Sequence, residues 1–298
     1  LSDDLIVYPN HGAGSACGKM MSKETTDTLG NQKRTNYALD PKLTKEEFKK
    51  ALLTGLTPPP GYFPKNVLMN IQGYESLDDV MARGKRALSP NDFEVVANED
   101  RPLVLDTRPA AVFAQGFIPN SVNIGLDSNF AMWVGDMIPD IKQAILLVTE
   151  PGKEEESIIR LSRVGYDNTI GYLDGGFDAW KKAGKEVDAM KRITAEEFAK
   201  RYADKPLVFD VRKKSEFDSE HVEGAINVPL NLISQHLAEF PKDKPFILHC
   251  AGGYRSMIAA SILKQRGWEN FVDVESGFAG IKKTGVKVTE YVCPTTLL

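Results

Sequence analysis

Reactive side chains are scarce in this chain: 298 residues carry three cysteines, Cys17, Cys250 and Cys293, and four histidines. Three cysteines cannot build a disulfide framework in a chain of this size, so a reducing, cytoplasmic setting is expected. No apolar run approaches the roughly 18 residues that a membrane-spanning helix needs. Residues 1–20 lack the charged start and apolar stretch of a secretory leader. Positive charge is not in excess either. The formal net charge is -4, which favours neither nucleic acid nor an anionic membrane as a partner. What remains is ordinary globular composition, 42% hydrophobic and 26% charged, in a length that suits about two domains of about 150 residues each. The opening LSDDLIVYP reads as a strand entered in mid-fold, and the chain is expected to be part of something longer.

The second and third thirds repeat one another. Arg101–Leu126, RPLVLDTRPAAVFAQGFIPNSVNIGL, lies without a gap over Lys205–Leu230, KPLVFDVRKKSEFDSEHVEGAINVPL. Asp106 then matches Asp210, Arg108 matches Arg212 and Asn123 matches Asn227, each pair 104 apart. Further on GYDN (Gly165–Asn168) matches GWEN (Gly267–Asn270), and GGF (Gly175–Phe177) matches SGF (Ser276–Phe278). A period near 100 is too long for a solenoid and suits two copies of one domain. Helix starts agree: Thr194-Ala-Glu-Glu197 is a capping box, and Ser89-Pro-Asn-Asp92 is its counterpart with Pro90 at the first helical position.

Within each copy, short apolar runs alternate with amphipathic stretches. PLVFDV, AINVPL, FILHC and NFVDV read as buried strands, and Ser256–Arg266 as a helix. Such alternation implies an α/β fold with a parallel sheet covered on both faces, whose ligands sit at the carboxyl ends of the strands. Cys250 stands at such an end, followed by Ala251-Gly252-Gly253-Tyr254-Arg255 and then the helix at Ser256. Adjacent glycines let backbone N–H groups curl inward as an anion nest. The helix start adds partial positive charge and Arg255 a full one. A thiol held there is expected to be depressed in pKa and to act as a nucleophile.

These residues resemble the rhodanese family. HCAGGYRS at His249–Ser256 is similar to its active-site loop, and DVR at Asp210–Arg212 with HVEGAINVP at His221–Pro229 to the two motifs that precede it. The resemblance spans about Ile193–Val288. It implies sulfane-sulfur transfer, with Cys250 and Arg255 catalytic and Ala251, Gly252, Gly253, Tyr254 and Ser256 binding the substrate. Loop length separates this from the cysteine phosphatases, whose Cys-x5-Arg ring encloses a phosphate; here the loop is Cys-x4-Arg. Arg255 either orients an anionic donor or locks the loop. Asp210, Arg212 and His221 are expected to be scaffold, and His236 to face solvent. The partners implied are small sulfur donors and thiol acceptors, and a homo-oligomer stays open. Two rival readings are a recognition or redox-sensing module without turnover, and a phosphatase or arsenate reductase.

The first copy lacks the cysteine. AILLV runs into Thr149-Glu150-Pro151-Gly152-Lys153-Glu154-Glu155-Glu156, and the position matching Cys250 is Val148 or Thr149, depending on one gap. Phe117 replaces His221 and Asn120 replaces Gly224. This copy is expected to fold without catalysing. Ahead of it, Tyr8–Lys19, glycine-rich around His11 and Cys17, and Leu43–Asn70 resemble the closing part of the metallo-β-lactamase fold of persulfide dioxygenases fused to rhodanese domains. His11 is the only histidine before residue 221, too few to hold iron or zinc. No metal ligand and no cofactor are therefore expected in this chain, iron belonging to a missing upstream part, and Cys17 is expected to be a small buried thiol. The expected division is a remnant of that fold over 1–72, a linker over 73–87, an inactive rhodanese-like domain over 88–188, an active one over 191–290 and a tail over 291–298.

Overall fold

The computed structural model describes residues 1–9, 24–53, 61–99 and 101–292. His11, Cys17 and Cys293 lie outside the described residues. The chain divides into two compact units, one ending at Pro58 and the other running Pro59–Val292. In the first, β1 (Ile6–Val7) pairs antiparallel with β2 (Asp27–Thr28), and α1 (Leu29–Thr35) and α2 (Lys45–Leu53) follow. Thr28 caps α1 by accepting from the Asn31 amide.

The second unit opens with α3 (Phe63–Gln72) and α4 (Leu77–Gly84). The stretch 73–87, expected to be a linker, thus contains a capped helix whose Val80 is fully buried in the core of the first copy. The ring of Tyr62, just before α3, is buried in that core too.

Two sheets of identical topology follow. The first copy contains β3 (Ala87–Leu88), α5 (Pro90–Glu99), β4 (Leu103–Asp106), α6 (Ala110–Gln115), β5 (Val122–Asn123), α7 (Phe130–Met137), β6 (Ile145–Val148), α8 (Glu154–Ser162), β7 (Thr169–Leu173) and α9 (Gly176–Lys182). The second contains β8 (Arg192–Ile193), α10 (Ala195–Tyr202), β9 (Leu207–Asp210), α11 (Lys214–Ser219), β10 (Ile226–Asn227), β11 (Phe246–His249), α12 (Tyr254–Gln265), β12 (Phe271–Val274) and α13 (Gly277–Ile281). Strand orders are β5-β4-β6-β7-β3 and β10-β9-β11-β12-β8, and all the pairings in both sheets are parallel. The central strands β6 and β11 are buried along their whole length, as a parallel sheet covered on both faces requires.

The copies share a core. Leu105, Ile124 and Val134 of the first belong to one apolar cluster with Met257, Ala260 and Leu263 of the second. Helix α12 lies against β5, an edge strand of the first sheet. The Asn123 amide of that edge donates to Ser261 Oγ at 3.0 Å. Gln265 donates to the Asn120 carbonyl at 3.1 Å, and Lys264 pairs with Asp188 at 2.8 Å. An edge strand covered in this way offers no unpaired ladder to other chains.

Candidate active site

The scaffold around Cys250 is a set of buried polar contacts that both copies repeat. Arg212 donates from Nε and a terminal nitrogen to the Asp210 carboxylate, at 2.6–3.0 Å, and to the Glu220 carbonyl at 2.9 Å. Its guanidinium lies 4.0 Å from the centre of the Phe278 ring. Asn227 Nδ2 ties the Asp210 and Arg212 carbonyls at 2.9 Å each. In the first copy Arg108, Asp106, Phe177 and Asn123 make the corresponding contacts. These groups therefore hold the end of the second strand in both sheets. His221 is scaffold too: its ring stacks on Phe217 and its Nδ1 meets the Phe217 carbonyl at 2.7 Å. Its backbone pairs with Thr289. His236 is partly exposed and pairs with Glu239.

Strand β11 ends at His249, whose register opposite Asp210 of β9 places Cys250 at the carboxyl edge of the sheet. The thiol is 1% exposed, and the Gly253 N–H donates to Sγ at 3.2 Å. Gly253 caps α12 in the left-handed region, φ 97°. A Cβ there would stand 2.3 Å from the Glu275 carbonyl oxygen, so the turn needs glycine on two counts. Gly277, φ 53°, is equally fixed, since a Cβ would meet the Cys250 carbonyl oxygen at 2.4 Å. That carbonyl accepts from Phe278 N at 2.7 Å. Gly252 is the exposed point of the loop, with open space beside it. The first-turn amides of α12 have no carbonyl one turn back to meet, which leaves them for an anion.

The side chains after the glycines are committed. The Arg255 side chain is 16% exposed and clasps Glu216 of α11 in a bidentate pair, at 2.5 and 2.8 Å. Glu216 also accepts from the Lys213 amide at 3.1 Å. Burial works to raise the Glu216 carboxyl, but the Arg255 contacts prevail and hold it below the ordinary range. Burial likewise opposes the charge on Arg255, and Glu216 raises it, with Cys250 and Asp210 adding to the same direction. Tyr254 points to the other copy, its hydroxyl donating to the Gly125 carbonyl at 2.8 Å. Burial, with Asp127 nearby, raises that phenol.

Ser256 is fully buried beneath the loop, on the side of Asp273. Burial pushes Asp273 up to about 6, against the pull of Ser256 and Arg192, although neither Ser256 Oγ nor Asp273 Oδ1 reaches hydrogen-bond geometry. His249 is also fully buried, and burial lowers its pKa against the opposing pull of Asp210.

Sheet register settles the gap left open in the first copy. Val148 stands opposite Asp106 as His249 stands opposite Asp210, so Thr149 occupies the position of Cys250. From there to the following helix the loop holds one residue more than its counterpart, Glu150–Lys153 against Ala251–Gly253. The acidic run faces outward in ion pairs: Glu155 with Lys85, and Glu156 with Lys153 and Arg160.

Glu216 is the site residue that the sequence reading missed. One signal for it existed: in the 104-residue register its counterpart is Val112, so the acid is absent from the copy that also lacks the cysteine.

A cavity of about 250 Å³ lies between the copies, lined by Arg101, Val122, Gln143, Ser234 and Gln265 among others. It includes no residue of the Cys250 loop. Among the described residues no three His, Cys, Asp or Glu side chains converge to hold a metal, and no helix is long and apolar enough to cross a membrane.

The family model for the rhodanese-like domain matches residues 89–183 and 194–284, more than half of the chain, and the chain belongs to that family. Uncharacterized protein YqhL of Bacillus subtilis (strain 168) is 38% identical over 99 residues, which are 33% of this chain and 75% of that protein. A protein described as a sulfurtransferase, from Allochromatium vinosum, is 27% identical over 101 residues, 33% of this chain and 94% of that one. Among solved structures, a metallo-beta-lactamase from Staphylococcus aureus subsp. aureus COL is 27% identical at a TM-score of 0.42. The match covers 58% of this chain and 46% of that one.

Proposed function

We propose that the chain is a sulfurtransferase in which Cys250 carries sulfane sulfur as a persulfide. The observation that carries this reading is the six-residue loop itself: Cys250 at a strand end, its sulfur met by the Gly253 amide at 3.2 Å, with the start of α12 behind it. With thiosulfate as donor, the Cys250 thiolate attacks the outer sulfur, the S–S bond of thiosulfate breaks and sulfite leaves with the electron pair. The product Cys250–S–S⁻ is then attacked at its outer sulfur by cyanide or a thiolate, and the Cys250 thiolate returns. A low-molecular-weight persulfide serves in the same way, with its thiolate as leaving group. The loop amides stabilise the anionic sulfur. Backbone N–H groups fixed before the reaction need no rearrangement during it.

The test is direct. Incubation with thiosulfate should add one sulfur atom to Cys250 by intact mass, and cyanide should remove it as thiocyanate. If no sulfur is carried, the loop is a recognition or redox-sensing element; turnover of an aryl phosphate would point to phosphatase chemistry instead.

We further propose that the segment up to residue 72 is the closing part of a metallo-β-lactamase-fold domain, and that the chain works in sulfide or persulfide oxidation in the cytoplasm. The support is the resemblance of Tyr8–Lys19 and Leu43–Asn70 to that fold. On this reading the purified chain binds no stoichiometric iron and takes up no oxygen with glutathione persulfide. Metal analysis and an oxygen electrode check both.

A further inference from the structure

Arg255 is the only cationic side chain in the Cys250 loop, and a cation beside a nucleophilic sulfur is expected to draw in the most highly charged donor. The structure places a carboxylate directly on it. Both Glu216 oxygens accept from Arg255, at 2.5 and 2.8 Å, and the two side chains are only 35% and 16% exposed. A bidentate pair of this kind is held more firmly than an exposed one and is screened less by salt. Its net charge is zero. What remains for an incoming anion is the set of backbone amides at the glycines and the start of α12, a partial rather than a full charge.

A second observation separates this pair from the scaffold. The Asp–Arg–Asn contacts recur in both copies, so they serve the fold. Glu216 is replaced by Val112, and the loop of the first copy has Glu150, Pro151, Gly152 and Lys153 before α8, with no arginine. Cysteine, arginine and glutamate are all missing from one copy and all present in the other. A residue needed only to hold the domain together would have no reason to go with the cysteine.

We propose that Glu216 is a specificity-determining residue: by neutralising Arg255 it makes the Cys250 loop take sulfane sulfur from donors whose sulfur-bearing group carries a single charge, as in a persulfide or a thiosulfonate, in preference to dianionic thiosulfate. The proposal rests on the sulfurtransferase reading of Cys250 for its donors, but the electrostatic part is testable without turnover. Methanethiosulfonate and thiosulfate make a suitable pair, since both deliver an outer sulfur and differ by one charge. The first leaves methanesulfinate and the second sulfite, each taking the electron pair of the broken S–S bond.

The experiment compares the full chain with Glu216→Gln, which keeps an oxygen for the Lys213 amide while removing the charge. The wild type should favour methanethiosulfonate in kcat/KM. In Glu216→Gln the ratio of thiosulfate to methanethiosulfonate should rise about tenfold, chiefly through a lower KM for thiosulfate. Alkylation of Cys250 gives an independent readout: the rate with iodoacetate relative to iodoacetamide should rise in the same variant. The double variant Glu216→Gln with Arg255→Ala should return both ratios to the wild-type value or below. An unchanged ratio in both readouts, or an equal fall with every reagent, overturns the proposal and makes Glu216 a purely structural partner. If neither donor turns over while the alkylation ratio still shifts, the sulfurtransferase reading fails and the electrostatic role of Glu216 stands.

Discussion

The two rhodanese-like copies are one fold at two levels of chemical equipment, and they part at the Cys250 loop and at the residue on α11 that pairs with it. Shared are the strand order, the Asp–Arg pair at the end of the second strand, the arginine stacked on a phenylalanine and the asparagine that ties the turn. Not shared are Cys250, the two adjacent glycines before the helix, Arg255 and Glu216. The first copy has instead turned to its neighbour, covering α12 with β5 and receiving the Tyr254 hydroxyl. A domain without the reactive loop still supplies a wall for the one that has it.

The largest functional difference between the copies lies at the cysteine. Cys250→Ser should abolish thiocyanate formation from thiosulfate and cyanide, because oxygen cannot hold a transferable sulfur, whereas Cys17→Ser with Cys293→Ser should leave most of it. In the Cys250→Ser background, Thr149→Cys should restore nothing: the thiol would stand at the matching strand end but face Glu150 and Pro151 in a longer turn. Sulfur carried by the double variant, read by intact mass, would show that the loop matters less than the strand end.

Stability should respond alike in both copies, since the scaffold is common to them. Arg212→Ala leaves the fully buried Asp210 without its counter-charge, and Arg108→Ala does the same to Asp106. Breaking one side of a buried pair costs about 3–5 kcal/mol, so each variant should lose roughly that in urea titration. A loss in the second copy alone would mean that the first is held by other means.

Turnover should separate what stability does not. Arg255→Ala removes the only cation of the loop and leaves the Glu216 carboxylate without its counter-charge, so kcat/KM with thiosulfate should fall about tenfold, ~1.4 kcal/mol of transition-state stabilisation. The matching position in the first copy has no arginine to remove. A rate unchanged at low salt would show that the guanidinium has no part in donor binding.

Much of this was legible in the sequence because it is local. The motif at Asp210–Arg212, the strand FILHC and the Gly-Gly turn lie within a few residues of the groups they position, and the ungapped repeat carries one sheet onto the other. Two things were not legible. The partner of Arg255 lies 39 residues away, on a six-residue helix whose sequence KSEFDS looks like solvated surface. Likewise α4 was hidden in a stretch with one deeply buried apolar residue, Val80, between Asp78, Asp79 and Arg83. Such a pattern shows no apolar face until β7 and α8 are there to receive it. Contacts between the copies belong to the same class: Ser261 reads as an ordinary polar residue of an amphipathic helix until the amide of Asn123 is placed 3.0 Å from it.

The smallest expected effect tests whether the first copy acts on the second at all. Tyr254 follows the glycines of the Cys250 loop, and its hydroxyl donates across the interface to the Gly125 carbonyl at 2.8 Å. The phenol is largely buried and stays protonated, because burial and the nearby Asp127 both raise it. Tyr254→Phe keeps the ring and deletes one neutral hydrogen bond, leaving the Gly125 carbonyl without that donor. A net contribution of about 1 kcal/mol is usual for such a bond, so the variant should lose stability of that order and keep its chevron or melting curve cooperative. If the two copies share one core as Leu105, Ile124, Met257 and Ala260 do, the loss should appear as a shift of a single transition reported equally by probes in both copies. It should also loosen the loop, seen as faster hydrogen exchange at the Gly252 and Gly253 amides, with only a modest drop in sulfur transfer. Two separated transitions, with the first copy unaffected, would mean that the contact through Tyr254 does not couple the domains.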